Sequence, residues 1–68
     1  MREVVIYLGE DEYWVAEVPS LPGCISQGKT KEEVIRNVKE AISCYTHALE
    51  ADSLPVPEER FEVMVLAV

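Results

Sequence analysis

The chain has 68 residues, of which 13 are Asp or Glu and 6 are Lys or Arg, so its formal net charge is −7. This length provides for one domain with one core, which we assign to residues 1–68. Apolar residues make up 49% of the chain, too many for a disordered segment. The acidic balance argues against direct nucleic-acid binding, which depends on Lys and Arg, and favours a basic protein as partner.

The sequence contains none of the features that mark an exported, membrane-spanning or cofactor-binding chain. Cys24 and Cys44 are too few for a disulfide framework and lack the spacing of a metal site. The apolar runs are far shorter than the roughly 20 residues that span a bilayer. We therefore expect a cytoplasmic protein with reduced thiols, without a cofactor, a metal or a membrane partner.

The first half of the chain predicts three short antiparallel strands. Residues 3–8 and 13–18 are rich in β-branched and aromatic side chains, and residues 9–12 connect them as a hairpin. Residues 19–23 form a turn, because proline fixes φ and glycine accepts positive φ. Residues 24–27 then form a short third strand, which suits a sheet edge.

A single long helix follows this meander. Thr30 and Glu33 form a capping box, which predicts the start of a helix. Six apolar residues then recur at helical spacing on one face: Val34, Val38, Ala41, Ile42, Tyr45 and Leu49. We expect the helix to cover residues 31–51 and to end before the two prolines of residues 54–57.

The last segment, residues 61–68, is apolar on both faces and predicts a fourth strand. A right-handed crossover through the helix would place it parallel to the first strand. The expected fold is therefore α+β, a β-β-β-α-β two-layer sandwich with mixed sheet order 3-2-1-4 and one helix on one face. Because one helix covers only one face of the sheet, we expect a homodimer or higher homo-oligomer. Its candidate interface is Met64, Val65, Leu66 and Val68.

Residues 13–30, Tyr-Trp-Val-Ala-Glu-Val-Pro-Ser-Leu-Pro-Gly-Cys-Ile-Ser-Gln-Gly-Lys-Thr, resemble the signature of the HicB-like antitoxin family. That signature is an aromatic strand, the sequence V-P-x-L-P-G-C, a short strand, G-x-T and an E-E pair that opens an amphipathic helix. The E-E pair here is Glu32-Glu33. The resemblance extends from about residue 4 to residue 57.

The resemblance implies a truncated RNase H-like fold and an antitoxin role. It implies a HicA-type partner, a small basic toxin that cleaves mRNA using a histidine and that the antitoxin binds and inhibits. Many family members carry a C-terminal DNA-binding domain, and we expect this chain to act without one. The competing interpretation is a stand-alone oligomerisation or regulatory module with neither a toxin partner nor catalytic activity.

A degenerate nuclease is a third and weaker interpretation. Two-metal cleavage needs clustered carboxylates, one of them in the middle of the first strand of an RNase H-like fold. Residues 4–7 contain no carboxylate. The sole histidine, His47, lies opposite the apolar stripe of the helix and has no recognisable catalytic neighbours. We therefore predict that the protein is not an enzyme and that it has no catalytic residue.

The hairpin connector is the candidate contact surface for the basic partner. Three carboxylates, Glu10, Asp11 and Glu12, stand directly before Tyr13 and Trp14. Negative potential speeds association with a basic protein, and an exposed aromatic side chain can anchor the complex. The alternative interpretation is that the carboxylates are solubilising charges and the aromatic residues belong to the core.

Overall fold

Three short antiparallel strands and one long helix form the structure, a computed structural model that describes residues 1–59 and 62–68. The elements are β1 (Val5–Leu8), β2 (Trp14–Glu17), β3 (Ile25–Gly28) and α1 (Lys31–Ala51). The predicted α+β class and the order β-β-β-α are confirmed. The observed helix has the predicted bounds. The first strand begins two residues later than predicted, and the second is one residue shorter at each end.

The sheet has the order β1-β2-β3, with β2 in the centre. Val5 of β1 lies opposite Glu17, and Glu17 in turn lies opposite Ile25 of β3. Because side chains alternate along a strand, these three residues share one face of the sheet. The other face packs against α1. The helix therefore covers one face only, as the sequence predicted.

The core lies between β2, the turn that follows it, and the first half of α1. Its buried apolar residues are Ala16, Val18, Leu21, Cys24, Val34 and Val38. Further along the predicted helix stripe, Ala41, Ile42 and Tyr45 are partly buried against this cluster. The apolar periodicity of the sequence thus identified the face of the helix that packs on the sheet.

The helix begins at the capping residue that the sequence predicted. Thr30 has an extended backbone, and its hydroxyl oxygen accepts a hydrogen bond from the Glu33 N–H at 3.1 Å. Glu32 and Glu33 place negative charge at the positive end of the helix dipole. At the other end, the Asp52 N–H donates to the Ala48 carbonyl, and the last turn contains no basic residue.

The turn between β2 and β3 carries a residue into the middle of the core. The Leu21 N–H donates to the Val18 carbonyl at 3.0 Å, and the Cys24 N–H donates to the Leu21 carbonyl at 2.9 Å. Gly23 has a φ of 80°, in the left-handed region that favours glycine. These bonds fold the segment back so that Leu21 is 0% exposed. The sequence predicted the turn but not the insertion of Leu21.

The predicted fourth strand does not form in the single chain that the structure describes. Residues 62–68 have no strand conformation, and Phe61, the first residue of the predicted strand, lies outside the described residues. Val65 is 88% exposed and Leu66 70%. A strand that is apolar on both faces needs a covering layer on each side. One helix supplies only one layer, and the sheet of the described residues stops at three strands.

Candidate partner-binding surfaces

The connector between β1 and β2 is a tight turn that projects three carboxylates into solvent. The Gly9 N–H donates to the Tyr13 carbonyl at 2.7 Å, and the Glu12 N–H donates back to the Gly9 carbonyl at 3.3 Å. A Cβ atom at residue 9 would lie 3.1 Å from the Tyr13 carbonyl oxygen, so glycine suits this close approach. We call residues 9–13 the acidic hairpin.

The carboxylates of the acidic hairpin stand beyond the end of the sheet. Glu10, Asp11 and Glu12 are all exposed, and Glu12 has a φ of 66°. The Asp11 carboxylate accepts a hydrogen bond from the Tyr13 N–H at 3.4 Å. The structure therefore brings the three predicted charges together at one tip. Such a cluster raises the rate at which a cationic partner docks, although exposed charges contribute little to folding stability.

The two aromatic residues of the predicted site lie on opposite faces of the sheet. Trp14 is half-buried against the core on the helix side, where the Lys31 ammonium lies 4.9 Å from the centre of its ring. Tyr13 precedes it and is half-buried on the other side by strand alternation. Of these two residues, Tyr13 is consequently the one that adjoins the sheet face turned away from the helix, and Trp14 packs against the start of the helix.

Glu59, an acidic residue near the end of the chain, lies at the other end of the sheet. The Glu3 N–H, just before β1, donates to a carboxylate oxygen of Glu59. The acidic hairpin follows β1 instead, so a whole strand, on the order of 15 Å, separates the two groups. Glu62 is exposed in the last segment. The structure therefore separates Glu59 from the carboxylates of the acidic hairpin.

The sheet face turned away from the helix is a mixed apolar and polar surface. We call it the open sheet face, and its residues are Val5, Tyr7, Val15, Glu17, Ile25 and Gln27. Tyr7 and Ile25 are 42% and 56% exposed. The Tyr7 hydroxyl donates to the Glu17 carboxylate at 3.2 Å. Desolvation, the charge of Glu17 and this hydrogen bond together raise the pKa of the Tyr7 phenol.

An apolar groove runs between β1 and the helix, at the outer edge of the sheet. Its volume is about 400 Å³, and it is lined by Met1, Arg2, Val4, Ile6, Ile35, Val38, Lys39 and Ile42. We call it the β1 groove. Because β1 pairs with β2 alone among the described strands, the backbone on the groove side of β1 offers a free sheet edge.

The candidate interface residues of the last segment are exposed to solvent. Met64, Val65, Leu66 and Val68 are 84%, 88%, 70% and 113% exposed. They form part of the longest run of exposed apolar side chains in the described residues. Contiguous apolar surface of this kind marks interaction sites in monomeric proteins.

The remaining reactive side chains are one histidine and two cysteines. His47 is exposed on the helix, as the sequence predicted. Both cysteines are free thiols, Cys44 exposed and Cys24 buried, and burial raises the pKa of the Cys24 thiol. A high pKa keeps the thiol protonated, which is unfavourable for nucleophilic chemistry. Within residues 1–59 and 62–68, His, Cys, Asp and Glu form no group of three arranged to hold a metal ion.

None of the described helices combines the length and the apolar composition needed to cross a bilayer.

The amino-acid sequence matches a known protein family over nearly its whole length. The model of the HicB-like antitoxin of bacterial toxin–antitoxin systems matches residues 3–65. The chain is also similar to the UPF0150 protein Ta0767 of Thermoplasma acidophilum, with 46% identity over 59 residues, 87% of this chain and 86% of the relative. A UPF0150 protein of Helicobacter pylori is 56% identical over 50 residues, 74% of this chain and 68% of the relative. Comparison with solved structures gives no match.

Proposed function

Because this chain belongs to the HicB-like antitoxin family of bacterial toxin–antitoxin systems, we propose that it binds and inhibits a small basic HicA-type toxin that cleaves mRNA. In this role the protein has no catalytic activity of its own. It acts in the cytoplasm, where the mRNA substrate of the toxin is found.

The acidic hairpin is the single observation that best supports this proposal. Its three exposed carboxylates form the tip of a hydrogen-bonded turn in a chain of net charge −7. A toxin that binds RNA is itself basic, because phosphate binding requires Lys and Arg. Complementary charge steers the two proteins together and suppresses binding to acidic partners.

Tyr13 is the aromatic anchor that we assign to this interface, in preference to Trp14. Tyr13 lies at the base of the acidic hairpin, next to the open sheet face. Trp14 instead holds the start of the helix and carries the Lys31 ammonium over its ring. Tyrosine at an interface buries a large apolar ring and leaves its hydroxyl free for a hydrogen bond.

A fourth strand beside β1 also belongs to this proposal, because it would complete the truncated RNase H-like sheet in the order 3-2-1-4. The free edge of β1 and the adjoining β1 groove support it. The apolar residues of the 62–68 segment supply the side chains that such a strand would bury.

An oligomerisation module without a toxin partner is the second candidate function. The exposed apolar side chains of residues 63–68 favour it, since they offer an interface that requires no foreign protein. The two functions differ in their partner: a basic toxin for the first, and only copies of this chain for the second.

Charge reversal at the hairpin tests the antitoxin proposal. The variant with Glu10→Lys, Asp11→Lys and Glu12→Lys is mixed with a HicA-type toxin, and association is followed by stopped-flow fluorescence at several salt concentrations. We expect association about tenfold slower at low salt, with a flatter salt dependence, as for other steered complexes. Inhibition of mRNA cleavage should weaken in parallel.

A matched control separates a local effect from the change in net charge. Glu40→Lys, Glu50→Lys and Asp52→Lys reverse three exposed carboxylates on the helix and at its end, and therefore change the total charge equally. The control should associate nearly as fast as the wild type. Equal slowing in both variants would refute the hairpin assignment, and failure of the wild type to bind any HicA-type toxin would favour the oligomerisation module.

A further inference from the structure

We propose that the β1 groove is the receiving site for residues 62–68 of a second copy of this chain, so that two copies exchange these segments reciprocally. Each segment would run along the free edge of β1 as the fourth strand of its partner's sheet. This inference deepens the sheet order proposed above but does not depend on a toxin.

The β1 groove has the two properties that a strand-receiving site requires. The outer edge of β1 provides unpaired backbone N–H and C=O groups, since β1 pairs only with β2 in the described sheet. Beside this edge, Ile6 and Ile42 form an apolar floor, and Ile35 is 39% exposed at its wall. A guest strand would place alternate side chains over this floor while its backbone pairs with β1.

Residues 62–68 have the matching properties of a guest strand. Val63, Val65 and Ala67 alternate with Met64, Leu66 and Val68, so both faces of an extended segment are apolar. The segment contains neither proline nor glycine, which would weaken strand pairing. Seven residues in strand conformation span roughly 23 Å, enough to run the full length of β1.

Charge at the two surfaces is complementary as well. Arg2 and Lys39 line the β1 groove, although the chain has only 6 basic residues against 13 acidic ones. Glu62 opens the guest segment, and Glu58 lies four residues before it. A strand parallel to β1 brings Glu62 to the end of the groove where Arg2 stands. Arg2, whose guanidinium also donates to the Ser20 hydroxyl at 3.1 Å, is therefore the cation nearest to the one acidic residue of the segment.

The two faces of the segment point to a second copy as its source. Within one chain, the segment remains exposed although Glu59, just before it, is already held at the start of β1. If residues 62–68 occupied the β1 groove of their own chain, one apolar face of the segment would be buried. Its other apolar face would remain in water, next to the open sheet face, which is itself only half-buried. In a reciprocal pair the two segments can cover each other's second face, and the same contacts form twice.

Sedimentation equilibrium of the full chain and two variants tests the exchange. The wild type should be a dimer at micromolar concentration. Val65→Asp, in the guest segment, and Ile35→Glu, in the groove wall, should each raise the dimer dissociation constant by at least about a hundredfold. Both residues are exposed in the single chain, so circular dichroism should show an intact fold. Leu54→Asp, at a 52% exposed residue outside both surfaces, is the matched control and should remain dimeric.

Cross-linking between differently labelled chains distinguishes exchange from insertion into the same chain. In a Cys44→Ser background, one chain carries Lys39→Cys and the other carries Leu66→Cys, and a short bismaleimide is added to the mixture. We expect a covalent dimer that contains one chain of each kind. Replacing Lys39→Cys with Glu40→Cys, at an exposed neighbour that does not line the groove, should greatly reduce the yield.

Three outcomes would overturn the proposal. The first is a monomeric wild type, and the second is a dimer that Val65→Asp and Ile35→Glu leave unchanged. The third is the absence of a mixed covalent dimer when a further chain that carries both Lys39→Cys and Leu66→Cys does cross-link within itself, which would assign the segment to its own groove. None of these outcomes bears on toxin inhibition, so the antitoxin role and the exchange can fail separately.

Discussion

Gly28 at the end of β3 lies against the backbone of Val34 in the first turn of α1, and a Cβ atom at residue 28 would be only 2.7 Å from the Val34 amide nitrogen. It would also lie 3.1 Å from the Glu33 carbonyl carbon. Helix and sheet approach this closely because residue 28 has no side chain. The glycine two residues before Thr30 therefore sets the distance between the two layers.

Gly28→Ala should destabilise the fold by roughly 1–3 kcal/mol, the usual cost of inserting a methyl group into a packed site. Backbone atoms block the new Cβ, so relief requires the end of β3 and the start of α1 to move apart. Urea denaturation at a fixed protein concentration measures the change. Lys29→Ala, at the exposed neighbour, should stay within about 0.5 kcal/mol of the wild type. An equally stable Gly28→Ala would show that the layers separate freely.

Leu21 should be among the most sensitive positions in the chain. It is one of the largest side chains that are fully buried, and Leu21→Ala leaves a cavity at the centre of a small core. We expect a loss of about 2–5 kcal/mol in the free energy of unfolding. In a domain of this size that loss is a large share of the total free energy of unfolding. Leu54→Ala, at a leucine that is 52% exposed, is the matched control, and a similar loss there would contradict the assignment.

The phenol of Tyr7 should titrate above its ordinary pKa of 10.0. Desolvation contributes most, followed by the charge of Glu17 and the hydrogen bond to it. In a Tyr13→Phe, Tyr45→Phe background, ultraviolet absorbance follows Tyr7 alone. Glu17→Gln should lower the midpoint part of the way, because the desolvation remains. If Glu17→Gln left the titration midpoint of Tyr7 unchanged, Glu17 would not be a cause of the raised pKa.

The raised pKa of Tyr7 also sets the sign of a pH effect on stability. The folded protein holds the phenolic proton more tightly than the unfolded chain does. The associated stability is therefore complete below pH 10.0 and is lost as the pH rises through the higher pKa of the folded state. Urea denaturation at several pH values above 10.0 measures this loss of unfolding free energy, which should be smaller in Glu17→Gln than in the wild-type chain.

The two thiols should differ strongly in reactivity. At pH 8, an aromatic disulfide reagent should label Cys44 quickly, since it is exposed. Cys24 is 5% exposed with a raised pKa, so it should react only when the chain unfolds. Cys44→Ser should therefore remove the fast phase and leave a slow one, which urea accelerates. A fast phase that survives in Cys44→Ser would mean that the turn opens without global unfolding.

Local signals predicted the elements of the fold because they act over a few residues. Thr30 and Glu33 specify the start of the helix through one hydrogen bond, and the spacing from Val34 to Tyr45 specifies its packed face. The burial of Leu21 was not predicted, because the residues of an irregular turn show no periodicity that indicates which of them are buried. Its position depends on bonds to Val18 and Cys24 that form only when the turn closes.

The sequence predicted which residues belong to the candidate site, but it predicted their positions in the fold less well. The carboxylates of residues 10–12 are neighbours in sequence, so one turn necessarily groups them. Alternation placed Tyr13 and Trp14 on opposite faces without indicating which face the helix covers, and only the packing against Lys31 settled it. Residues 62–68 have strong strand composition, yet a strand also needs a paired edge, which is a property of the whole assembly.

The turn that carries Leu21 and the acidic hairpin differ in how many substitutions the fold tolerates. Substitutions at the buried residues of the turn, Val18, Leu21 and Cys24, act directly on the packing of the core, so folding stability alone restricts them. The exposed residues 10–12 carry no such burden. The charge of the hairpin can therefore change while the fold is kept, and under the proposed antitoxin function a new partner preference needs only a few surface substitutions.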